Sequence, residues 1–167
     1  SAMVEETRED VTNIYTLPYV LIALEQGEDY ADPSLIEWLV DYVTDNKEKW
    51  FNMEFGTDAL TPMLLAISPY AETSEEVDVL IAESVSVLKE QINSEGLIGN
   101  APSTALAIVA LCAVGINPEE METDGVNLID GLMSQLNENC DGFLPTENSF
   151  ATEQGFRAIN ALKLMES

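Results

Sequence analysis

The sequence predicts an all-α protein made of repeated helical hairpins, in which broadly apolar helices alternate with amphipathic ones. Three observations carry that prediction. Ala105 to Val114 is a run without a polar side chain, too short to span a bilayer and too long and Ala-rich for a buried strand. An Ala-Leu or Ala-Ile pair recurs at Ala23-Leu24, Ala66-Ile67, Ala110-Leu111 and Ala161-Leu162, at intervals in the forties that lengthen at the last step, as in arrays of helix pairs. Between these pairs lie segments with apolar residues on one stripe. No segment has a clear strand pattern.

In chain order, Glu5 to Asp10 is acidic and predicts a frayed helix start. Thr16-Leu17-Pro18 opens the first apolar helix, which Gly27 ends. Asp32-Pro33-Ser34 starts an amphipathic helix with Leu35, Ile36, Leu39, Tyr42 and Val43 on one face, broadened by Trp38 and Val40. Asn46 to Gly56 reads as a loop or short turn, and its Trp50, Phe51, Met53 and Phe55 imply that it tucks over a core. Thr57 or Asp58 caps the next apolar helix, which holds Pro62 and stops at Pro69. Thr73 to Glu76 matches a capping box, opening a helix with Val77, Leu80, Ile81, Val85, Leu88 and Ile92 on its stripe. For the run at Ala105, Pro102 suits the first turn and Ser103 or Thr104 the cap. Gly115 suits its left-handed terminus, and Pro118 blocks continuation. An amphipathic helix is predicted over Val126 to Asn137 with Ile129, Leu132, Met133 and Leu136 inward, and a last apolar helix from Asn148 or Ser149 to Met165.

At 167 residues and 46% hydrophobic, one domain with a real core is expected over residues 4–167. Ser1-Ala2-Met3 reads as a scar of tag cleavage. Six Lys+Arg face 31 Asp+Glu, a net charge of −25, which repels nucleic acid and anionic membranes. With no His, a Ser-His-Asp triad, a His-metal site and a His pH switch are excluded. Two cysteines, Cys112 and Cys140, form no disulfide framework.

Two phrases, Ser103-Thr104-Ala105-Leu106-Ala107-Ile108-Val109-Ala110-Leu111 and Ala151-Thr152-Glu153-Gln154-Gly155-Phe156-Arg157-Ala158-Ile159, resemble inner-helix starts of the α/α-toroid superfamily. That superfamily includes terpenoid cyclases, protein prenyltransferase β-subunits, complement thioester domains and cobalamin carriers. Gln135-Leu136-Asn137 with Asp141-Gly142-Phe143 is similar to the turns between their repeats, and Gln91-Ile92-Asn93 with Gly96 is a weaker copy. The nearest likeness is to the prenyltransferase-like repeat region of bacterial surface and secreted proteins, over Asp58 to Leu162. The resemblance implies a toroid or partial toroid of about three and a half hairpins, with ligands at the mouth where inner helices begin.

The chemistry of the enzymatic relatives is missing. Prenyltransferase zinc needs Asp, Cys and His ligands; cyclases need an Asp-x-Asp-Asp acid; thioesters need Cys-Gly-Glu-Gln, whereas this chain has Ala151-Thr152-Glu153-Gln154. The expectation is therefore a non-catalytic binding or interaction module of a bacterial cell-surface or secreted protein, without cofactor, without membrane insertion, and monomeric or weakly dimeric. Its partner would be a small molecule or a protein. The alternative is a piece of a cyclase- or prenyltransferase-like enzyme whose catalytic residues lie elsewhere. Candidate ligand residues are Asp58, Ser103, Thr104, Thr152, Glu153 and Arg157, with a Glu153–Arg157 ion pair as the plainer role of the last two. Asn137, Asn139, Asp141 and Gly142 match the first half of a calcium loop. The twelfth position is Asn148 rather than the bidentate Glu, which favours a polar repeat turn.

Overall fold

A computed structural model describes residues 11–27, 33–144 and 149–167, and the chain gathers into two compact units, residues 1–82 and 83–167. The acidic start at Glu5 to Asp10 lies outside the described residues. The all-α class holds: among the described residues eight α-helices dominate, with one two-stranded ribbon.

In the N-terminal unit, α1 (Leu17–Gln26) begins with Pro18 in its first turn and ends at Gly27. It packs chiefly on α4 (Leu60–Ile67), so the first two helices with the Ala-Leu or Ala-Ile signature lie side by side. Between them come α2 (Pro33–Asp45) and the short α3 (Glu48–Phe51). The buried face of α2 is Leu39, Val40 and Val43, whereas Leu35 is exposed, so the stripe is turned slightly from its predicted position. The segment expected as a loop is helical over α3, and it does tuck inward: Trp50 is fully buried and its indole Nε1–H donates to the Ile14 carbonyl at 3.2 Å. Pro62 is the third residue of α4, in the first turn, where its missing N–H has no intrahelical acceptor to lose, and the helix is not broken there.

The helix α5 (Glu75–Glu90) is capped by Ser74 rather than by Thr73: the Ser74 hydroxyl accepts from the Val77 N–H at 3.2 Å. Asp78 accepts from the N–H of Glu72, a non-glycine residue at φ 66. The unit boundary falls inside α5.

The C-terminal unit is built on α6 (Ala101–Ala113) and α8 (Ser149–Met165), which pack extensively on each other. The cap of α6 is Asn100, whose Oδ1 accepts from the Ser103 N–H at 3.0 Å, and not Ser103 or Thr104. Its end is a Schellman motif. The Gly115 N–H reaches the Cys112 carbonyl at 3.1 Å and the Ile116 N–H the Leu111 carbonyl at 2.9 Å, with Gly115 at φ 74. Ala105, Ala107, Ile108, Ala110 and Leu111 are buried, while Leu106 and Val109 are half-covered and Ala113 is exposed. The covering expected on every side is thus partial on one face.

The predicted helix over Val126 to Asn137 is trimmed at both ends to α7 (Leu128–Met133). Ahead of it, β1 (Glu122–Thr123) pairs antiparallel with β2 (Val126–Asn127) through Asp124 and Gly125, both at positive φ, the requirement of a type I′ turn. The dipeptide Asp-Gly between these segments was the sequence signal for this ribbon. Leu128 and Leu132 are the buried contacts of α7, whereas Met133 is exposed. On α8 the buried face is Ala151, Gln154, Gly155 and Ala158. The ring of Phe143 sits where a Cβ on Gly155 would fall, 2.2 Å away.

Candidate functional site

The starts of the predicted inner helices were the expected mouth, and in the C-terminal unit α6 and α8 are preceded by two copies of one turn. In the first, the Gly96 N–H donates to the Asn93 carbonyl at 3.0 Å, and Asn93 Oδ1 accepts from the Leu97 N–H at 3.0 Å. In the second, the Cys140 N–H donates to the Asn137 carbonyl at 2.9 Å, and Asn137 Oδ1 accepts from the Asp141 N–H at 3.1 Å. The left-handed residue stands three after the Asn in each, Gly96 at φ 74 and Cys140 at φ 56. A buried apolar residue follows each turn, Ile98 or Phe143. Its backbone N–H donates to a threonine hydroxyl on the next helix: Ile98 to Thr104 at 2.9 Å, Phe143 to Thr152 at 3.2 Å.

This places two of the predicted ligand residues in a structural role. Thr104 is fully buried, with its hydroxyl also within bonding distance of the Asn100 and Ile98 carbonyls, at 2.8 and 3.2 Å. Thr152 is half-buried over Gly142. Ser103 is half-buried, its backbone N–H held by the Asn100 cap. Glu153 and Arg157 form the expected i,i+4 pair at 3.6 Å, both 54% exposed, and Glu153 also accepts from the Gln154 carboxamide at 2.6 Å. Asp58 is exposed and belongs to the other unit.

The half calcium loop is a self-bonded turn. Asn137 Nδ2 donates to the Asp141 carboxylate at 2.8 Å while its Oδ1 takes the Asp141 N–H. Both ends of that carboxamide are therefore spent inside the loop, and the left-handed residue is Cys140 rather than Gly142. Asn139 is exposed, and Asn148 lies outside the described residues. No three of Cys, Asp and Glu among the described residues are grouped to hold a metal. Cys112 is half-buried and Cys140 exposed, both as free thiols, and burial pushes the Cys112 thiol above its usual range.

Residues that the sequence did not single out are Gln154 and Thr61. Both are buried, and Gln154 Oε1 and Thr61 Oγ1 are side-chain atoms without a hydrogen-bond partner. Each stands in the first two turns of a helix of the apolar kind, Thr61 on α4 and Gln154 on α8. An unpaired polar group of this kind costs roughly 1–3 kcal/mol.

The same substitution should therefore have opposite signs at two threonines. Thr104→Val leaves the Ile98 N–H buried without its acceptor and should cost about 2 kcal/mol. Thr61→Val keeps the branched shape while deleting an unpaired hydroxyl and should be neutral or stabilising by about 1 kcal/mol. Denaturant melts of the two variants check this; destabilisation of equal size at both sites would show that the Thr61 hydroxyl has a partner.

No family model, curated protein or solved structure gives a significant match to this chain.

Proposed function

We propose that the chain is a non-catalytic binding module on a partial α/α toroid, of the kind found in bacterial cell-surface or secreted proteins, with its ligand at the start of an inner helix. The observation that carries the reading is Gln154: a buried carboxamide whose oxygen has no donor, on the helix start that resembles the toroid's ligand mouth. A ligand N–H or O–H would satisfy it. The reading is supported by the pairing of α1 with α4 and of α6 with α8, helices of the predicted inner kind, and by the twice-used Asn turn and threonine clamp. It is also supported by the fate of the polar residues at these helix starts. Thr104 and Thr152 are bonded to loop backbone, and Glu153 to Arg157 and Gln154, which suits a scaffold better than acid–base chemistry. The strongly acidic composition fits a soluble surface-exposed location.

Equilibrium dialysis of the chain against cyanocobalamin and against farnesol tests the reading at high micromolar concentration. Retention of either compound is expected, weakened about tenfold in Gln154→Leu by the loss of one hydrogen bond. Retention unaffected by Gln154→Leu would remove the site from α8. No retention of either would overturn small-molecule carriage of these two classes.

A further inference from the structure

Away from the inner-helix starts, the N-terminal unit holds a groove between α2 and the first turns of α5. Its main part has a volume of about 720 Å³ and it continues, through Thr44 and Glu76, into a smaller part of about 340 Å³. Its floor is apolar: Val40, Val77 and Leu80 are buried and Ile36 is half-buried, while Val79, about half exposed, extends the apolar surface. Its rim is acidic on both sides. Glu37, Asp41 and Asp45 lie one turn apart along α2, and Glu75 and Glu76 stand on the opposite wall, all exposed.

The row on α2 is unfavourable for the isolated helix. Like charges four residues apart repel, and α2 contains neither Lys nor Arg. Lys47 is the one cation among the described lining residues. An apolar floor between two anionic walls is complementary to a helix with an apolar stripe and cations on both flanks. The thirteen residues of α2 run for about 20 Å, some four turns of a partner helix.

We infer that this groove docks a basic amphipathic helix of a partner protein, its apolar stripe over Ile36, Val40, Val77 and Leu80 and its Lys or Arg side chains against Glu37, Asp41, Asp45, Glu75 and Glu76. The inference is independent of any ligand at Gln154.

The test uses the full chain and a labelled synthetic peptide of about 14 residues, made of Leu and Lys with Leu at i, i+3, i+4 and i+7, read by fluorescence anisotropy at moderate ionic strength. Micromolar binding is expected. A shuffled peptide of the same composition, without the stripe, should bind about tenfold more weakly. The triple variant Glu37→Lys, Asp41→Lys, Asp45→Lys should also lose about tenfold or more. The variant Glu122→Lys, Glu138→Lys, Glu166→Lys makes the same change in net charge at exposed sites of the other unit and should lose far less. Circular dichroism checks that both variants keep their helix content. Methyl NMR shifts on peptide addition should fall on Ile36, Val40, Val77 and Leu80. Absence of binding, equal binding of the shuffled peptide, equal losses in the two triple variants, or shifts elsewhere would each overturn the inference.

Discussion

Gly131→Ala is expected to destabilise the protein by about 3 kcal/mol, as an overpacking clash against backbone, lowering the melting temperature by roughly 6–12 °C. The sign is opposite to that of an ordinary helical glycine, where alanine gains about 0.5–1 kcal/mol. The reason is the turn packed on α7. A Cβ at position 131 would stand 2.1 Å from the Gly96 carbonyl oxygen, 2.4 Å from its carbon and 2.9 Å from the Glu95 oxygen. These are main-chain atoms, so no rotamer change relieves the overlap. Gly96 is itself held from both sides: it sits at φ 74, and a Cβ there would fall 2.4 Å from the Asn127 carbonyl oxygen. The Asn93 turn and the start of α7 thus meet backbone to backbone, and the contact depends on both glycines. A thermal melt of Gly131→Ala that matches or exceeds the parent would mean that the turn and α7 are not in contact in solution.

Neither glycine was singled out for that contact by sequence. Gly131 lies inside an amphipathic pattern, and nothing in the local spacing says that another backbone crosses it. Gly96 read only as part of a turn with Gln91-Ile92-Asn93. The helix-forming segments were legible because their causes are local. Pro18 and Gly27 bound α1, and Gly115 with Pro118 ends α6 as a Schellman motif. The tucked position of Trp50 followed from the cluster of large apolar residues it shares with Phe51, Met53 and Phe55.

Caps were less legible because several eligible residues stood together. In Asn100-Ala101-Pro102-Ser103-Thr104 any of three could cap. Asn100 does so, which puts Pro102 second in the helix, where its missing N–H has no intrahelical acceptor to lose, and moves Thr104 inside, where its hydroxyl clamps the preceding turn. The same displacement explains the site. Threonines at matching helix starts were legible as a repeated feature, but periodicity cannot tell a hydroxyl facing a ligand from one facing Ile98 or Phe143. Glu153 and Arg157 were readable as a pair because i,i+4 spacing on a helix is itself geometry. Gln154 was not, since its unmet oxygen depends on what surrounds α8.

The burial of α6 is most sharply tested by Ala110→Asp. Ala110 has no exposed surface and lies on the helix that packs against α8. A carboxylate there has no partner and loses its hydration, so the variant should lose about 4 kcal/mol at neutral pH. The loss should depend on pH in a defined direction. Burial raises the folded-state pKa of the new carboxyl above its unfolded value near 4, so the folded state holds the proton more tightly. Relative to the parent, the variant should recover stability as pH falls through the raised folded pKa towards the unfolded one, below which both states are protonated and only the steric and polar cost remains. Ala110→Asn carries nearly the same volume without a titrating group and should show no such recovery. Ala113→Asp, at the exposed end of the same helix, should cost no more than about 1 kcal/mol through the helix dipole. If Ala110→Asp and Ala113→Asp melt together, or if the Asp and Asn variants at position 110 keep the same offset from pH 7 to pH 4, then α6 is not the buried helix on which the C-terminal unit is built.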